Sequence, residues 1–275
     1  MTLNCKGKLI DLSTPKVMGI LNITPDSFYD GGQFKKENEI LRHVENMLNH
    51  GASFIDVGAY SSRPNAKHVS QDEELKRILP IVQCLLKEFP EVLLSIDTFR
   101  SEVAKQCVVA GAAIINDISA GKLDDQMLTT VASLQVPYIM MHMKGTPQNM
   151  QEQTQYDDLI KDMLFYFSER LNAATAAGII DLVIDPGFGF SKTLNQNFEL
   201  LNKLDLLNIT ERPLLVGVSR KSMIYKTLKV SAKEALNGTT VLNTLALQKG
   251  ASILRVHDVK EAIECVKLFE TLHDD

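Results

Sequence analysis

The segment VLLSIDTFRSEVAKQCVVAGAAIIND, residues 92–117, holds one complete structural unit. It opens as a short β-branched apolar run that ends on the carboxylate Asp97. Ser101 then precedes Glu-Val-Ala, the pattern of a helix N-cap followed by an acidic first turn. An amphipathic stretch runs to residue 110, and Gly111 supplies the left-handed residue that closes a helix. The chain then re-enters an apolar run that ends on Asn116. The order is strand, polar tip, helix, glycine, strand.

The same unit recurs in both directions. VMGILNITPDSF ends a run at Asn22, and FIDVGAYSSRP leads to Ser62 and Arg63. YIMMHMKG gives Met141 and His142, LVIDPGFGF gives Asp185, LLVGVSRKS gives Ser219 and Lys221, and ILRVHD gives Arg255 and His257. Strands are predicted at 16–23, 53–59, 92–98, 113–119, 137–143, 182–187, 213–219 and 252–257. Helices are predicted at 38–50, 72–88, 101–110, 124–134, 157–177, 194–207, 232–249 and 259–270. Ser70 before Gln-Asp-Glu-Glu reads as a second N-cap, and Gly51, Gly178 and Gly250 close helices as Gly111 does. A strand–helix pair repeated roughly eight times is the layout of a (β/α)8 TIM barrel, with its site at the C-terminal ends of the strands. Both faces of barrel strands are covered, which accounts for apolar runs that do not alternate strictly.

The chain has 275 residues, which fits one barrel domain spanning 1–275. Its formal charge of -5 argues against a general nucleic-acid or anionic-membrane surface. No apolar run reaches the roughly 18 residues of a membrane span, and the opening MTLNCKGKLIDLS lacks the apolar centre of a signal peptide. Cys5, Cys84, Cys107 and Cys265 are scattered, as expected of idle thiols in a reducing cytoplasm.

The tips carry a definite chemistry. Asp97, Asp185, Asn116 and Lys221 could form a polar lining for a planar heterocycle, with carboxylates accepting from its NH groups and Asn and Lys meeting its acceptors. Arg255 and His257 are two residues apart on one strand and share a face. With Asn22, on the strand that neighbours them once the barrel closes, they could hold a phosphate or diphosphate. Ser222-Met-Ile-Tyr-Lys could start a helix at the same end. Asp185-Pro-Gly-Phe-Gly-Phe reads as a tight turn. His43 and His142 read as ordinary hydrogen-bonded histidines, and Met140, Met141 and Met143 as core filler. The loops at 24–36, 60–70 and 144–156 follow strands and are expected to be functional.

These motifs resemble the dihydropteroate synthase family of folate biosynthesis. The matching stretches are MGILNITPDSFYDGG (18–32), DVGAYSSRP (56–64), SIDT (95–98), IINDIS (114–119), MHMKGTPQNMQ (141–151), DPGFGFSK (185–192), GVSRKSM (217–223) and RVHDV (255–259). The resemblance implies a magnesium-assisted transferase joining 4-aminobenzoate to (7,8-dihydropterin-6-yl)methyl diphosphate, cytoplasmic and homodimeric through its last helices. It implies that Asp97, Asn116, Met141, Asp185, Gly217 and Lys221 hold the pterin. Asn22, Ser62, Arg63, Arg255 and His257 serve the diphosphate, with Asn22 on the metal. Phe28, Ser62, Pro64, Phe190, Ser219 and Lys221 line the aminobenzoate pocket, which sulfonamide drugs share. Asp97, Asp185, Lys221, Arg255 and His257 form the catalytic set.

The family's usual Gly-Glu-Ser-Thr-Arg-Pro-Gly reads here Ala59-Tyr60-Ser61-Ser62-Arg63-Pro64-Asn65. Tyr60 in place of an acid is the larger departure and bears on loop pose and drug affinity. A pterin-dependent corrinoid methyltransferase shares the pterin-holding Asp and Asn but has no need of a diphosphate clamp. A non-catalytic pterin-binding barrel would not need a complete set of tips. A Schiff-base aldolase would want its lysine inside a strand, and Lys221 lies beyond one.

Overall fold

The computed structural model describes residues 1–23, 33–60 and 69–273. Eight parallel strands form the barrel: β3 (Lys16–Asn22), β4 (Phe54–Gly58), β5 (Leu94–Asp97), β6 (Ile114–Asp117), β7 (Tyr138–Met141), β8 (Leu182–Asp185), β9 (Leu214–Val216) and β10 (Ala251–Val256). They close in the order β10-β3-β4-β5-β6-β7-β8-β9. Ahead of them a hairpin, β1 (Thr2–Cys5) and β2 (Lys8–Asp11), stands apart from the barrel sheet.

The helices that cover the strands are α1 (Gln33–Asn49), α2 (Gln71–Glu88), α3 (Ser101–Ala110), α4 (Met127–Leu134), α5 (Leu159–Ala177), α6 (Leu194–Asn202), α7 (Ser222–Leu228), α8 (Leu236–Gln248) and α9 (Val259–His273). The predicted 194–207 helix is two pieces, since 3-10 turns take over at Leu204–Thr210. A 3-10 turn also occupies Ala232–Glu234, so α8 begins later than predicted. Ser70 caps α2 as expected, its side chain accepting from Glu73 N. Ser101 does not cap α3. The cap position belongs to Arg100, and the Ser101 amide donates instead to Asp124 Oδ2 at 2.7 Å. A carboxylate from the next loop thus replaces the local hydroxyl as partner for a free helix N–H. Gly51, Gly111, Gly178 and Gly250 all have positive φ, as the helix-closing role requires.

Side chains along the strands point alternately inward and outward even though both faces are buried. Val17, Ile55, Val57, Leu94, Ile96, Ile115, Tyr138, Met140, Leu182, Ile184, Leu214, Val216, Leu254 and Val256 pack outward into the layer shared with the helices. Met18, Phe54, Ile114, Ile139, Val183, Leu215 and Ile253, on the opposite parity, fill the barrel interior. The period of two puts the next inward residues one layer higher. Those residues include Asn116, Met141, Asp185, Gly217 and Arg255, so an apolar floor carries a polar ceiling.

The hairpin was not expected from the sequence. Leu3, Cys5 and Leu12 join the interior cluster and close the barrel's lower end. Lys6 and Gly7, at φ 57° and 84°, form its two-residue turn, with left-handed φ at both positions. Asn4 N donates to Asp181 Oδ2 at 2.9 Å, and Lys6 Nζ to Gly111 O at 2.9 Å, which fastens the hairpin to the barrel.

Candidate active site

The upper layer is built by pairing between neighbouring strands. Gly58, Asp97 and Asn116 lie side by side in register across β4, β5 and β6. Asp56 and Ser95 lie one inward step below them. A Cβ at Gly58 would come within 3.3 Å of the Asp97 side chain, so the glycine leaves room for that carboxylate. Met141 pairs with Asp185 on the far wall. Asn22 ends β3 beside Gly58 and is exposed at the mouth.

Arg255 is the central cation. Its Nε donates to Asp56 Oδ2 at 2.6 Å and its Nη2 to Asp97 Oδ2 at 2.8 Å. The sequence reading treated Arg255 as a side chain in need of an anionic ligand. The protein itself supplies two carboxylates, one of them on Asp56, which that reading did not single out. Asp56 is fully buried and also accepts from Asn116 Nδ2 at 3.1 Å. Burial works against the charge on Arg255, but Asp56, Asp97 and Asp185 outweigh it and hold the guanidinium firmly protonated. Burial pushes the Asp97 carboxyl up to about 7, against the opposing pull of Arg255.

Lys221 precedes α7 and donates to Phe188 O, with its Nζ 4.9 Å from the centre of the Phe190 ring. Burial lowers its pKa to about 8, while Asp185 pulls the other way. The Asp185 carboxyl is raised by burial, which Lys221 opposes. Asp185 Oδ1 accepts from Gly187 N at 2.7 Å, closing the Asp-Pro-Gly-Phe-Gly-Phe turn. Gly187 is obligatory there: its φ is +68°, and a Cβ would lie 2.3 Å from His142 O. The two aromatics of the turn diverge. Phe188 is wholly buried in the outer layer, whereas Phe190 packs with Ile118, Met141, Met143 and Met150 beside the polar layer. Met141 and Met143 are therefore separate from the main core that Met140 joins.

His257 lies just past β10, so it is not a strand residue as predicted. Its Nδ1 is 3.0 Å from Ser219 Oγ, and its backbone N–H donates to the same oxygen at 3.2 Å. β9 ends at Val216, which puts Gly217 and Ser219 on the turn that follows it. A Cβ at Gly217 would meet Arg255 and Lys221 at ordinary contact distance. Arg220 turns away and pairs with Asp258.

His142 is buried, and Lys192 Nζ meets its Nδ1 at 3.1 Å. Burial, reinforced by Lys192, depresses the imidazole well below its usual range, so the ring is neutral and Nδ1 accepts. Lys192 also donates to Gly187 O and Phe190 O, which braces the turn under Asp185. Burial brings the Lys192 ammonium down to about 7. A cavity of about 590 Å³ lies between the loops after β6 and β7 and α5, lined by Lys122, Lys144 and Tyr166 among others. None of the polar-layer residues lines it, so it lies beside the site.

Tyr60 stacks edge-on against Phe99, with centroids 5.0 Å apart, and lies 5.3 Å from the Arg100 guanidinium. Its hydroxyl accepts from Gln148 Nε2 at 2.9 Å. Arg100 pairs with Glu74, which is fully buried and accepts from Thr98 Oγ1 at 2.7 Å. Phe28, Ser62, Arg63 and Pro64 lie outside the described residues, as do most of the 24–36 and 60–70 loops. Among the described residues no group of three or more His, Cys, Asp and Glu side chains is placed to hold a metal. No described helix is long and apolar enough to cross a membrane.

Comparison with known proteins agrees with this geometry. The sequence profile of the family described as "Pterin binding enzyme" matches residues 18–257. A dihydropteroate synthase of Escherichia coli strain K12 is 44% identical over 272 residues, covering 98% of this chain and 96% of its own. The dihydropteroate synthase of Yersinia pestis, solved with a sulfonamide drug, superposes with a TM-score of 0.93 at 43% identity, covering 100% of both chains. That of Xanthomonas albilineans, solved with 4-aminobenzoic acid, gives 0.91 at 37% identity, covering 100% of this chain and 98% of that one.

Proposed function

Because the chain belongs to the pterin binding enzymes, and within them to the dihydropteroate synthases, we propose that it condenses (7,8-dihydropterin-6-yl)methyl diphosphate with 4-aminobenzoate. The products are 7,8-dihydropteroate and diphosphate. The observation that carries this is the polar layer of Asp97, Asn116, Asp185, Lys221 and Arg255 directly above an apolar barrel floor. A flat heterocycle lies on such a floor while its edges meet the layer. Relatives named as synthases give a corrinoid methyltransferase no support.

In the reaction the bond between the pterin methylene carbon and the diphosphate oxygen breaks, and its electron pair leaves with the diphosphate. The amine lone pair of 4-aminobenzoate forms the new carbon–nitrogen bond, and the surplus amine proton passes to solvent or diphosphate. Positive charge grows on the pterin as the bond breaks, and ionised Asp97 and Asp185 stabilise it. Asn116 and Lys221 orient the ring, and Met141 and Gly217 border it. Arg255 and His257 take the negative charge of the leaving group, with Ser219 fixing the imidazole. Phe190, Ser219 and Lys221 are assigned to the described part of the aminobenzoate pocket; Phe28, Ser62, Arg63 and Pro64 are assigned to its remainder and to the diphosphate. No covalent nucleophile is needed, since a well-placed amine attacks an electron-deficient carbon.

Magnesium fits this donor set. Mg²⁺ keeps several waters and is held through substrate phosphates plus one or two protein oxygens, and the exposed amide of Asn22 at the mouth offers one such oxygen. When bound, the ion neutralises charge on the leaving diphosphate.

The reading extends to assembly and location. Val241 and Leu245 on α8 and Leu268 and Leu272 on α9 are exposed apolar residues on two helices that pack together. They support a homodimer formed through this face. Four free cysteines, three of them buried, support a reducing cytoplasm for a single-domain enzyme. The direct test is diphosphate release from the pterin diphosphate. Release that depends on both 4-aminobenzoate and magnesium is expected; no release with both present would overturn the assignment.

A further inference from the structure

Asp56 is a wholly buried carboxylate inside a barrel strand that the proposed reaction does not use. It is wholly buried one layer below Asp97 and Asn116, so it does not share the ligand's layer. Its Oδ2 accepts from both Asn116 Nδ2 and Arg255 Nε. Its Oδ1 has no partner among the described residues, which is costly for a buried carboxylate oxygen. A core selected for stability alone would not keep such a group, because a well-packed apolar residue does as well or better.

Its two bonds constrain the layer above. An ionised carboxylate only accepts, so the atom of Asn116 that faces it must be the amide nitrogen. That settles the amide flip and turns the Asn116 oxygen away from Asp56. Arg255 is gripped through Nε, the donor nearest its stem. This leaves the two terminal nitrogens of the fork to the layer above, where one of them now meets Asp97. Gly58, directly above Asp56 on β4, has no side chain to stand between them.

We propose that Asp56 is a positioning residue for both ends of the substrate: it fixes the face that Asn116 presents to the pterin ring and anchors the guanidinium that Arg255 turns to the diphosphate. The assignment rests on the dihydropteroate synthase reading, and it predicts a coupling that neither ligand site alone requires. Losing Asp56 should weaken two chemically different ligands at once, although it touches neither.

The test uses the whole chain, with calorimetric titration of two probes: a pterin lacking diphosphate, and inorganic diphosphate with magnesium. Asp56→Asn should weaken each by about tenfold or more, the scale of one charge-supported hydrogen bond. Asp97→Asn should weaken the pterin far more than the diphosphate. Should Asp56→Asn fail to fold, the exchange variant Asp56→Asn with Asn116→Asp keeps a carboxylate–amide pair in the core. It places the amide beneath Arg255 and is expected to lose affinity for both probes. Either variant, folded and within twofold of the wild type for both probes, overturns the proposal, as does a variant that lowers only the melting temperature. If the wild type binds neither probe, the synthase reading fails instead, so the two failures are distinguishable.

Discussion

Arg255 Nη2 donates to Asp97 Oδ2 across 2.8 Å, so the residues assigned to opposite ends of the substrate are each other's partners. A ligand that engages both must exchange this ion pair for two new contacts. The pterin ring N–H groups then take the carboxylate, and the diphosphate takes the guanidinium.

This pair sets a pH dependence. Asp97 accepts well only when ionised, and its pKa stands at about 7, with Arg255 the group that holds it down. Arg255→Ala should raise that pKa, so the midpoint of pterin affinity against pH should move to higher pH. Above that midpoint the variant should bind a pterin without diphosphate nearly as the wild type does, while its turnover of the diphosphate substrate stays severely reduced. Asp97→Asn should lower pterin affinity by about 1.5–3 kcal/mol above the wild-type midpoint, where the carboxylate it replaces is ionised, and by less below it. Calorimetry between pH 6 and pH 9, as a working range of roughly three units around neutrality, reads all three; an unmoved midpoint in Arg255→Ala would contradict the coupling.

Lys192 gives a stability signature of its own. Its folded-state pKa is lowered from 10.5 to about 7. Between those values the unfolded chain binds more protons than the folded one, so stability contributed through this group rises as pH rises from about 7 toward 10.5. Lys192→Met removes that rising limb. It also deprives Gly187 O and Phe190 O of a donor, so the turn should loosen at all pH values. Denaturation midpoints across neutral and alkaline pH check this, and an alkaline limb that survives the substitution would show that another group produces it.

Tyr60 contributes mainly through its ring. Tyr60→Phe keeps the contacts with Phe99 and Arg100 and gives up the exposed hydrogen bond to Gln148, which should cost under about 1 kcal/mol. Tyr60→Ala removes both ring contacts and should cost about 2 kcal/mol. Equal losses by urea denaturation would place the contribution in the hydroxyl instead.

The α8–α9 face can be tested by charge. Val241→Glu combined with Leu268→Glu puts like charges at exposed apolar positions on neighbouring helices. A dimer built there should sediment as a monomer after the change. A dimer unaffected by both substitutions would have its interface elsewhere.

Much of the site could be read from the sequence because barrel strands translate order along the chain into place around a ring. Asp97, Asn116 and Asp185 end apolar runs, and each proved to lie on the inward parity, Asn116 above Ile114 and Asp185 above Val183. Asp56 is harder to read because it sits inside its run, between Ile55 and Val57, with no turn to mark it. Its signal was available: a carboxylate at the centre of a buried strand must have partners. The Arg255 pairing was hidden for a related reason, since its two acids are 158 and 199 residues away in the chain. The hairpin does not stand out in the sequence, although Cys5-Lys6-Gly7-Lys8 carries a two-residue turn signal, because its short strands do not lead into helices as those of the repeat do. Ser101 had the right type and place for a cap, but Asp124 from a distant loop took the helix N–H instead.

The hairpin stoppers one end of the barrel with Leu3, Cys5 and Leu12, and the polar layer occupies the other. Among the described residues the barrel is thus closed at the hairpin end, so substrate and product would both pass through the polar end, and diphosphate would have to clear it before the next pterin could settle. The barrel's foundation is physically separate from its rim. A substitution at the rim that alters drug or substrate fit at some cost in robustness can be offset by tighter packing at the stopper, without a single atom of the reacting layer being moved.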